Sequence, residues 1–170
     1  MLVCGVGPVD AAARTAAALD RHRPMAVVHV GIAGAHAESD LLPPALVIGA
    51  ESRYCDLGMG PEWAPSVIVP PAVLLEAARR ALPGAAVLAI GTSARVNGTG
   101  HVVARPPVEA MEGFGVLRAA QLAGVPAIEV RAISNAIEEP DRSRWRFGEA
   151  LAAIAAATPR IVREVATCVS

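Results

Sequence analysis

The residues of this chain best suited to chemistry on a polar small molecule are Met111-Glu112 and, further on, Arg131 with Ser134-Asn135. A carboxylate has two oxygens that can accept paired hydrogen bonds from the vicinal hydroxyls of a sugar, which is the chemistry open to Glu112. Asn135 offers both donors and an acceptor, a set that suits a purine edge, and Arg131 can hold a carboxylate such as Glu112 in place. Each residue also has a plainer local role. An acid in the first turn of a helix is favoured by the helix dipole, and taken alone Glu112 fits that role better. Ser134 and Asn135 suit a strand end and turn. Asp141 reads first as a helix cap and second as a catalytic acid.

Two glycine turns add to the list. Gly5-Val6-Gly7-Pro8 can aim backbone N–H groups at an anion. A dinucleotide fingerprint needs a third glycine, and Ala11 and Ala12 occupy that stretch, so a tight strand-to-helix turn is favoured. His29-Val30-Gly31-Ile32-Ala33-Gly34 also closes an apolar run, and its glycines allow close approach of either a ligand or a neighbouring strand. His29, within that run, reads as a satisfied core histidine.

Alternating elements must position these residues. Short apolar runs at Leu2–Val6, Met25–Val30, Ala45–Ala50, Ala85–Ile90 and Ala127–Ile133 predict strands. Helical patterns at Val9–His22, Pro71–Leu82, Val108–Ala123 and Ser143–Val165 lie between or after them. This order predicts one α/β domain over residues 1–170, three-layer α/β/α with a mixed central sheet. The piece from Gly58 to Pro71 reads as a surface excursion, because Pro and Gly deny it regular ladders.

Composition sets the bounds. With 170 residues, 54% of them hydrophobic, the chain can bury one sizeable core. A formal charge of −1 gives no general pull toward nucleic acid or anionic membrane, and aromatic residues at 3% leave few platforms for stacking bases. Cys4, Cys55 and Cys168 lack metal-ligand spacing, so free thiols are expected, with no metal and no cofactor. The opening MLVCGVGPVD lacks a basic n-region, and no apolar run has membrane-spanning length, so a cytoplasmic location is expected.

Taken together, Gly5-Val6-Gly7-Pro8-Val9, Gly31-Ile32-Ala33-Gly34, Glu51-Ser52-Arg53-Tyr54, Asn97-Gly98, Met111-Glu112-Gly113-Phe114 and Arg131-Ala132-Ile133-Ser134-Asn135 resemble the nucleoside phosphorylase and nucleosidase superfamily. The matches follow family order over nearly the whole chain. Within the family, Gly-Ile-Ala-Gly-Ala, Met-Glu-Gly-Phe, Ser-Asn in place of Ser-Asp, Asp141-Arg142 and Trp145-Arg146 look most like the futalosine hydrolase branch, beside the methylthioadenosine/adenosylhomocysteine nucleosidases. The resemblance implies a purine nucleosidase that releases hypoxanthine from futalosine on a route to menaquinone. It implies that Ile32, Ala33 and Gly34 floor the site, that Met111 and Glu112 hold the ribose, and that Ser134 and Asn135 face the purine. Val96 joins this substrate-binding set, and Arg131 supports it. An amide at Asn135 helps the leaving purine by hydrogen bonding, with Asp141 as the candidate proton donor.

Phosphorylases of the family carry Arg where His29 stands and Ser where Ile32 stands. His and Ile do not reproduce that fork of phosphate donors, so water is the expected nucleophile. Relatives have about one more strand-helix unit before the Gly-Val-Gly turn, a length typical of such α/β units. That unit carries the Glu which activates the water, and the resemblance implies that this chain begins after it. Glu51, expected at a structural strand end, and Glu109, expected on an exposed helix start, are the nearest substitutes. A nucleoside-binding module without turnover, a phosphorylase and a ligand-free structural oligomer are the competing readings. Relatives complete each site with a neighbouring subunit, so a homodimer is expected.

Overall fold

The computed structural model describes residues 1–60, 62–101 and 105–169. Its helices are α1 (Pro8–His22), α2 (Ala72–Ala81), α3 (Gly113–Leu122) and α4 (Phe147–Ala166). Its strands are β1 (Val27–Ala35), β2 (Leu46–Tyr54), β3 (Val67–Ile68), β4 (Ala86–Thr92), β5 (Val108–Ala110) and β6 (Ala127–Ala136).

The sheet is mixed and curls until it closes. In the order β3-β2-β4-β5-β1-β6, β6 returns to pair with β2, so five strands form a ring and β3 flanks it. β1 runs parallel to β6 and antiparallel to β5, while β2 runs parallel to β4 and antiparallel to β6. Ala33, Ala35, Val47, Ile90, Val108, Ala110 and Ile133 fill the inside of the ring. Small and β-branched side chains are what so narrow a ring admits.

Helices cover the outside on two sides, which makes the architecture three-layer α/β/α as expected. On one side α2 and α4 pack over Ile48, Ile128, Val130 and Ala132. α4 does so with Ala150, Ile154, Ala157, Ile161 and Val165, a stripe at helical spacing, while Pro159 stands on its exposed face. On the other side α1 presents Ala11, Thr15 and Leu19 to the α3 layer. The two helices meet closely because Gly115 has no side chain: a Cβ there would stand 2.4 Å from the Pro8 carbonyl oxygen.

The elements depart from the sequence reading in four places. Leu2–Val6 forms no strand, because an apolar run needs a ladder partner and none pairs with it among the described residues. Val108–Ala110, expected as the start of a helix, is β5, because buried Val108 fits the ladders of β4 and β1 together. The helix begins only after Glu112, at Gly113. Within the Gly58–Pro71 excursion, Val67–Ile68 adds a strand to β2. The last helix starts at Phe147 rather than Ser143, because Asp141 caps a separate 3-10 turn at Arg142–Arg144.

Candidate active site

Arg131 organises the centre of the site. It lies on β6 opposite Gly31 of β1, and its guanidinium crosses the space that a side chain at Gly31 would fill. A Cβ at Gly31 would stand 2.3 Å from Nη1, so the glycine is required by a packed cation rather than by a turn. Arg131 Nε donates to Glu129 Oε1 at 2.8 Å, and Nη1 donates to Glu112 Oε2 and to the Ile32 carbonyl, each at 3.3 Å. Gly113 is required for a related reason, since a Cβ there would collide with the Glu129 carboxylate at 2.1 Å.

The arrangement leaves a directed carboxylate. Glu129 is fully buried beside Arg131 and balances its charge, and its Oε2 has no hydrogen-bond partner among the described residues. Glu112, whose side chain is 15% exposed, therefore faces a cation already matched by another anion. Its other oxygen accepts from Gly7 N at 3.3 Å, at the positive end of α1. The glycine turn thus turns a backbone N–H toward an anion, and the anion is the protein's own carboxylate.

His29 fixes the far side of the guanidinium. Nη2 of Arg131 lies 2.6 Å from His29 Nε2, and because arginine only donates, Nε2 accepts and the ring proton sits on Nδ1. Burial first, and then the neighbouring Arg131 charge, hold the His29 pKa well below its ordinary value near 6.5. A depressed pKa leaves His29 stabilising the fold above its unfolded value, with that contribution lost as pH falls toward the folded value. His29→Gln keeps an acceptor for Arg131 but does not titrate. Between about pH 7.5 and about pH 5.5, wild-type protein should lose more thermal midpoint than the variant; equal losses would show that His29 is not the acid-sensitive group.

At the other end of the site, β6 carries a bulge. Ala33 pairs with Ile133 and Gly34 with Asn135, so Ser134 is the extra residue. The bulge lets neighbouring side chains converge instead of pointing to opposite faces. Ser134 Oγ lies 3.1 Å from the Ala33 carbonyl and 2.7 Å from Asn135 Oδ1, and its hydrogen serves these two acceptors. Asn135 Nδ2 donates to the Ala136 carbonyl at 2.9 Å, and its second hydrogen meets no acceptor among the described residues. A Cβ on Gly34 would stand 2.9 Å from Ile137 Cγ1 and 3.0 Å from Asn135 Nδ2, so a side chain there would push on the carboxamide.

The structure brings most of the sequence-predicted residues into one row. Ile32, Ala33 and Gly34 run along β1 from the Arg131–Glu112 end to the Ser134–Asn135 end. Half-buried Met111 follows β5 directly beside Glu112. Val96 stands 43% exposed in the loop after β4. Asp141 lies on an exposed turn, where its Oδ1 accepts from Ser143 N at 2.9 Å and Ser143 Oγ at 2.7 Å. No bond among the described residues joins it to Glu112, Ser134 or Asn135.

The two substitute bases are otherwise engaged. Glu51 is paired with Arg53. Glu109 is not on an exposed helix start: it is buried in β5 and accepts from Gly98 N, Thr99 N and Thr99 Oγ1 at 2.8, 3.1 and 2.7 Å. Sequence reasoning missed Glu129 and the partnership of His29. A signal existed for the first, since Glu129 and Arg131 stand two apart in an apolar strand, on one face, and a buried charge demands a partner.

The family model described as the phosphorylase superfamily matches residues 1–167. A futalosine hydrolase of Streptomyces coelicolor is 40% identical over 186 aligned residues, covering 95% of this chain and 77% of the relative. A futalosine hydrolase of Thermus thermophilus is 31% identical over 184 residues, covering 96% and 80%. Among solved structures, the native futalosine hydrolase of Helicobacter pylori superposes with a TM-score of 0.83 at 20% identity, covering 95% of this chain and 77% of that one. A closed mixed sheet between two helix layers, the match along nearly the whole sequence and these likenesses agree: the chain belongs to the phosphorylase superfamily.

Proposed function

We propose that this chain is a purine nucleosidase that hydrolyses the N-glycosidic bond of futalosine, releasing hypoxanthine in the futalosine route to menaquinone. The observation that carries the reading is the pre-set carboxylate of Glu112, held from behind by Arg131 and Gly7 N and set across Ile32–Gly34 from Asn135. The likeness to futalosine hydrolases of two bacteria supports the choice of substrate.

In the reaction, a water oxygen bonds to C1′ of the ribose, the C1′–N9 bond breaks, and its electron pair leaves on the purine, which takes up a proton. The sugar gains positive character in the transition state, and the base gains negative charge. Glu112 accepts from the ribose 2′ and 3′ hydroxyls and places its charge near the developing cation, which strengthens binding as the bond breaks. Met111 packs on the sugar. The second Nδ2 hydrogen of Asn135 stabilises the departing purine, and Ser134 fixes the orientation of that carboxamide. Val96 closes the pocket.

Water as nucleophile is supported by His29. Where a phosphorylase needs an exposed cation for phosphate, this side chain is buried and spent on Arg131, and Ile32 offers no side-chain donor. On this reading the active form is a cytoplasmic homodimer. No helix among the described residues is long and apolar enough to cross a membrane.

The test is base release. Purified protein is incubated with futalosine, aminodeoxyfutalosine, methylthioadenosine and inosine, with and without phosphate, while light scattering reads its mass. Hypoxanthine release from futalosine that is independent of phosphate is the expected result. Strict phosphate dependence, or binding without any release, would defeat the hydrolase reading, and a monomeric mass would defeat the dimer.

A further inference from the structure

We propose that Arg142, Trp145 and Phe147 form a recognition site for an aromatic carboxylate carried on the 5′ side of the nucleoside, with Arg142 selecting a charged over a neutral substituent. The inference rests on the nucleosidase reading for its place in substrate binding, and on the geometry of one loop for the chemistry of the ligand.

The loop from Ile137 to Arg146 leaves the base end of the site and returns to it. At its start Ile137 N donates to the Ala35 carbonyl at 2.9 Å, and at its end Arg146 N donates to the Ser134 carbonyl at 2.8 Å. Trp145 therefore directly precedes the residue tied to the strand end that presents Ser134 and Asn135. Two further bonds brace the loop, Glu139 N on the Ala136 carbonyl and Arg146 Nη1 on the Pro43 carbonyl, each at 3.1 Å. In a β-nucleoside the base and C5′ share one face of the ribose, and the 2′ and 3′ hydroxyls point to the other. With Glu112 on the hydroxyl side, a 5′ substituent departs on the face it shares with the base, and this loop borders the base end.

The loop's charges single out Arg142. Arg144 Nη1 donates to Glu139 Oε2 at 3.0 Å, and Arg146 is paired with Glu149. The acids of the loop are engaged elsewhere. Glu139 Oε1 accepts from Asp141 N, Glu138 is bound to the His36 ring and to Ala37 N, and Asp141 Oδ1 accepts from Ser143 N and Ser143 Oγ. No carboxylate among the described residues pairs with Arg142. Its guanidinium lies instead over the Trp145 ring, 5.7 Å from the centroid.

Two kinds of contact are thus offered side by side. Trp145 is fixed by its own Nε1, which donates to the Glu139 carbonyl at 3.1 Å, so the half-buried indole is positioned in advance. Phe147 meets it with ring centroids 5.4 Å apart at 59° and remains 41% exposed, leaving aromatic surface on which a further ring can pack. A guanidinium over an aromatic ring keeps its fork of N–H groups for a carboxylate, which it binds through two parallel bonds. An aryl acid uses both halves of the site. A phosphate would leave the rings unused, and an uncharged chain would leave the cation unused. Futalosine carries a benzoate at the far end of its 5′ substituent, whereas inosine ends there in a hydroxyl.

The chain has two tryptophans, so Trp63→Phe leaves Trp145 as the reporter indole for a fluorescence titration. Benzoate should change the emission saturably, and benzamide, of the same shape without the charge, should need about 10-fold to 100-fold more, the size expected for charge-assisted bonds to one carboxylate. Adding Arg142→Gln should bring benzoate down to the level of benzamide. In turnover, Arg142→Gln should raise KM for futalosine by the same factor with little change in kcat, and Arg142→Lys, which keeps the charge without the fork, should fall between. Inosine, read as a substrate or as a competitor of futalosine, should be affected less than about twofold, since it makes no such bond. No response to benzoate, a response equal to that of benzamide, one that survives Arg142→Gln, or equal losses for futalosine and inosine would each overturn the site. The titration needs no nucleoside, so absence of base release would count against the nucleosidase reading and leave the aryl-acid site to be judged by fluorescence.

Discussion

Glu112→Gln is expected to lower kcat/KM for futalosine by about 10²–10⁴-fold, with most of the loss in kcat. The estimate takes two charge-assisted bonds to the ribose hydroxyls at ~1.5–3 kcal/mol each. The loss falls on kcat because the carboxylate is complementary to a sugar that becomes cationic only as the bond to the purine breaks. A glutamine is the right size for the position but the wrong chemistry for its surroundings. Gly7 N–H and Arg131 Nη1 both donate to Glu112, so an amide nitrogen at either oxygen position would face a donor. The expected cost to the fold is within about 2 kcal/mol, since the side chain keeps some access to water. Steady-state kinetics beside a thermal melt separate the two effects. Unchanged kinetics with a folded variant would remove Glu112 from the ribose site.

Glu112 is visible in the sequence as a candidate, whereas Glu129, which with Arg131 sets its surroundings, is hidden there. Met111-Glu112 and Ser134-Asn135 are legible because polar groups beside glycines, in a recurring order, carry family information. The order of helices and strands is legible because burial imposes periodicity. What periodicity cannot show is which run finds a partner. Leu2–Val6 is as apolar as a strand yet pairs with nothing among the described residues, while Val108–Ala110 lies within an extended helical pattern yet pairs on both edges. Ring closure is hidden for the same reason, since the β2–β6 pairing joins segments far apart in sequence.

The same limit governs the site's support. Gly31, Gly34 and Gly113 each leave room for a specific side chain from elsewhere in the chain: Arg131, Asn135 and Glu129. From sequence, each glycine signals close approach without saying of what. Glu109 shows the converse. Its carboxylate could have served as a base, but three donors from the loop after β4 make it a structural acceptor. Spatial neighbours, which no local pattern encodes, decide between those roles.

Removing Arg131 should have the largest effect on stability. Arg131→Met keeps much of the volume but leaves Glu129 as an uncompensated charge, 1% exposed, in the middle of β6. Breaking a buried pair from one side typically costs about 3–5 kcal/mol. For a domain of this size that corresponds to a midpoint roughly 6–20 °C lower. Much of the penalty belongs to the stranded carboxylate rather than to the lost bond, and this gives a sharper test. Adding Glu129→Leu to Arg131→Met removes the orphan charge, which should recover most of the midpoint, since a buried ion pair replaced by apolar groups is often neutral. Activity should not return with stability, because Glu112 then keeps only the Gly7 N–H and Ile32 O loses its side-chain donor. If the double variant were both stable and fully active, Arg131 would be a counter-ion for Glu129 alone, without a part in setting the ribose carboxylate. If it stayed as unstable as the single variant, the cost would lie in packing around Gly31 rather than in an unmatched buried charge.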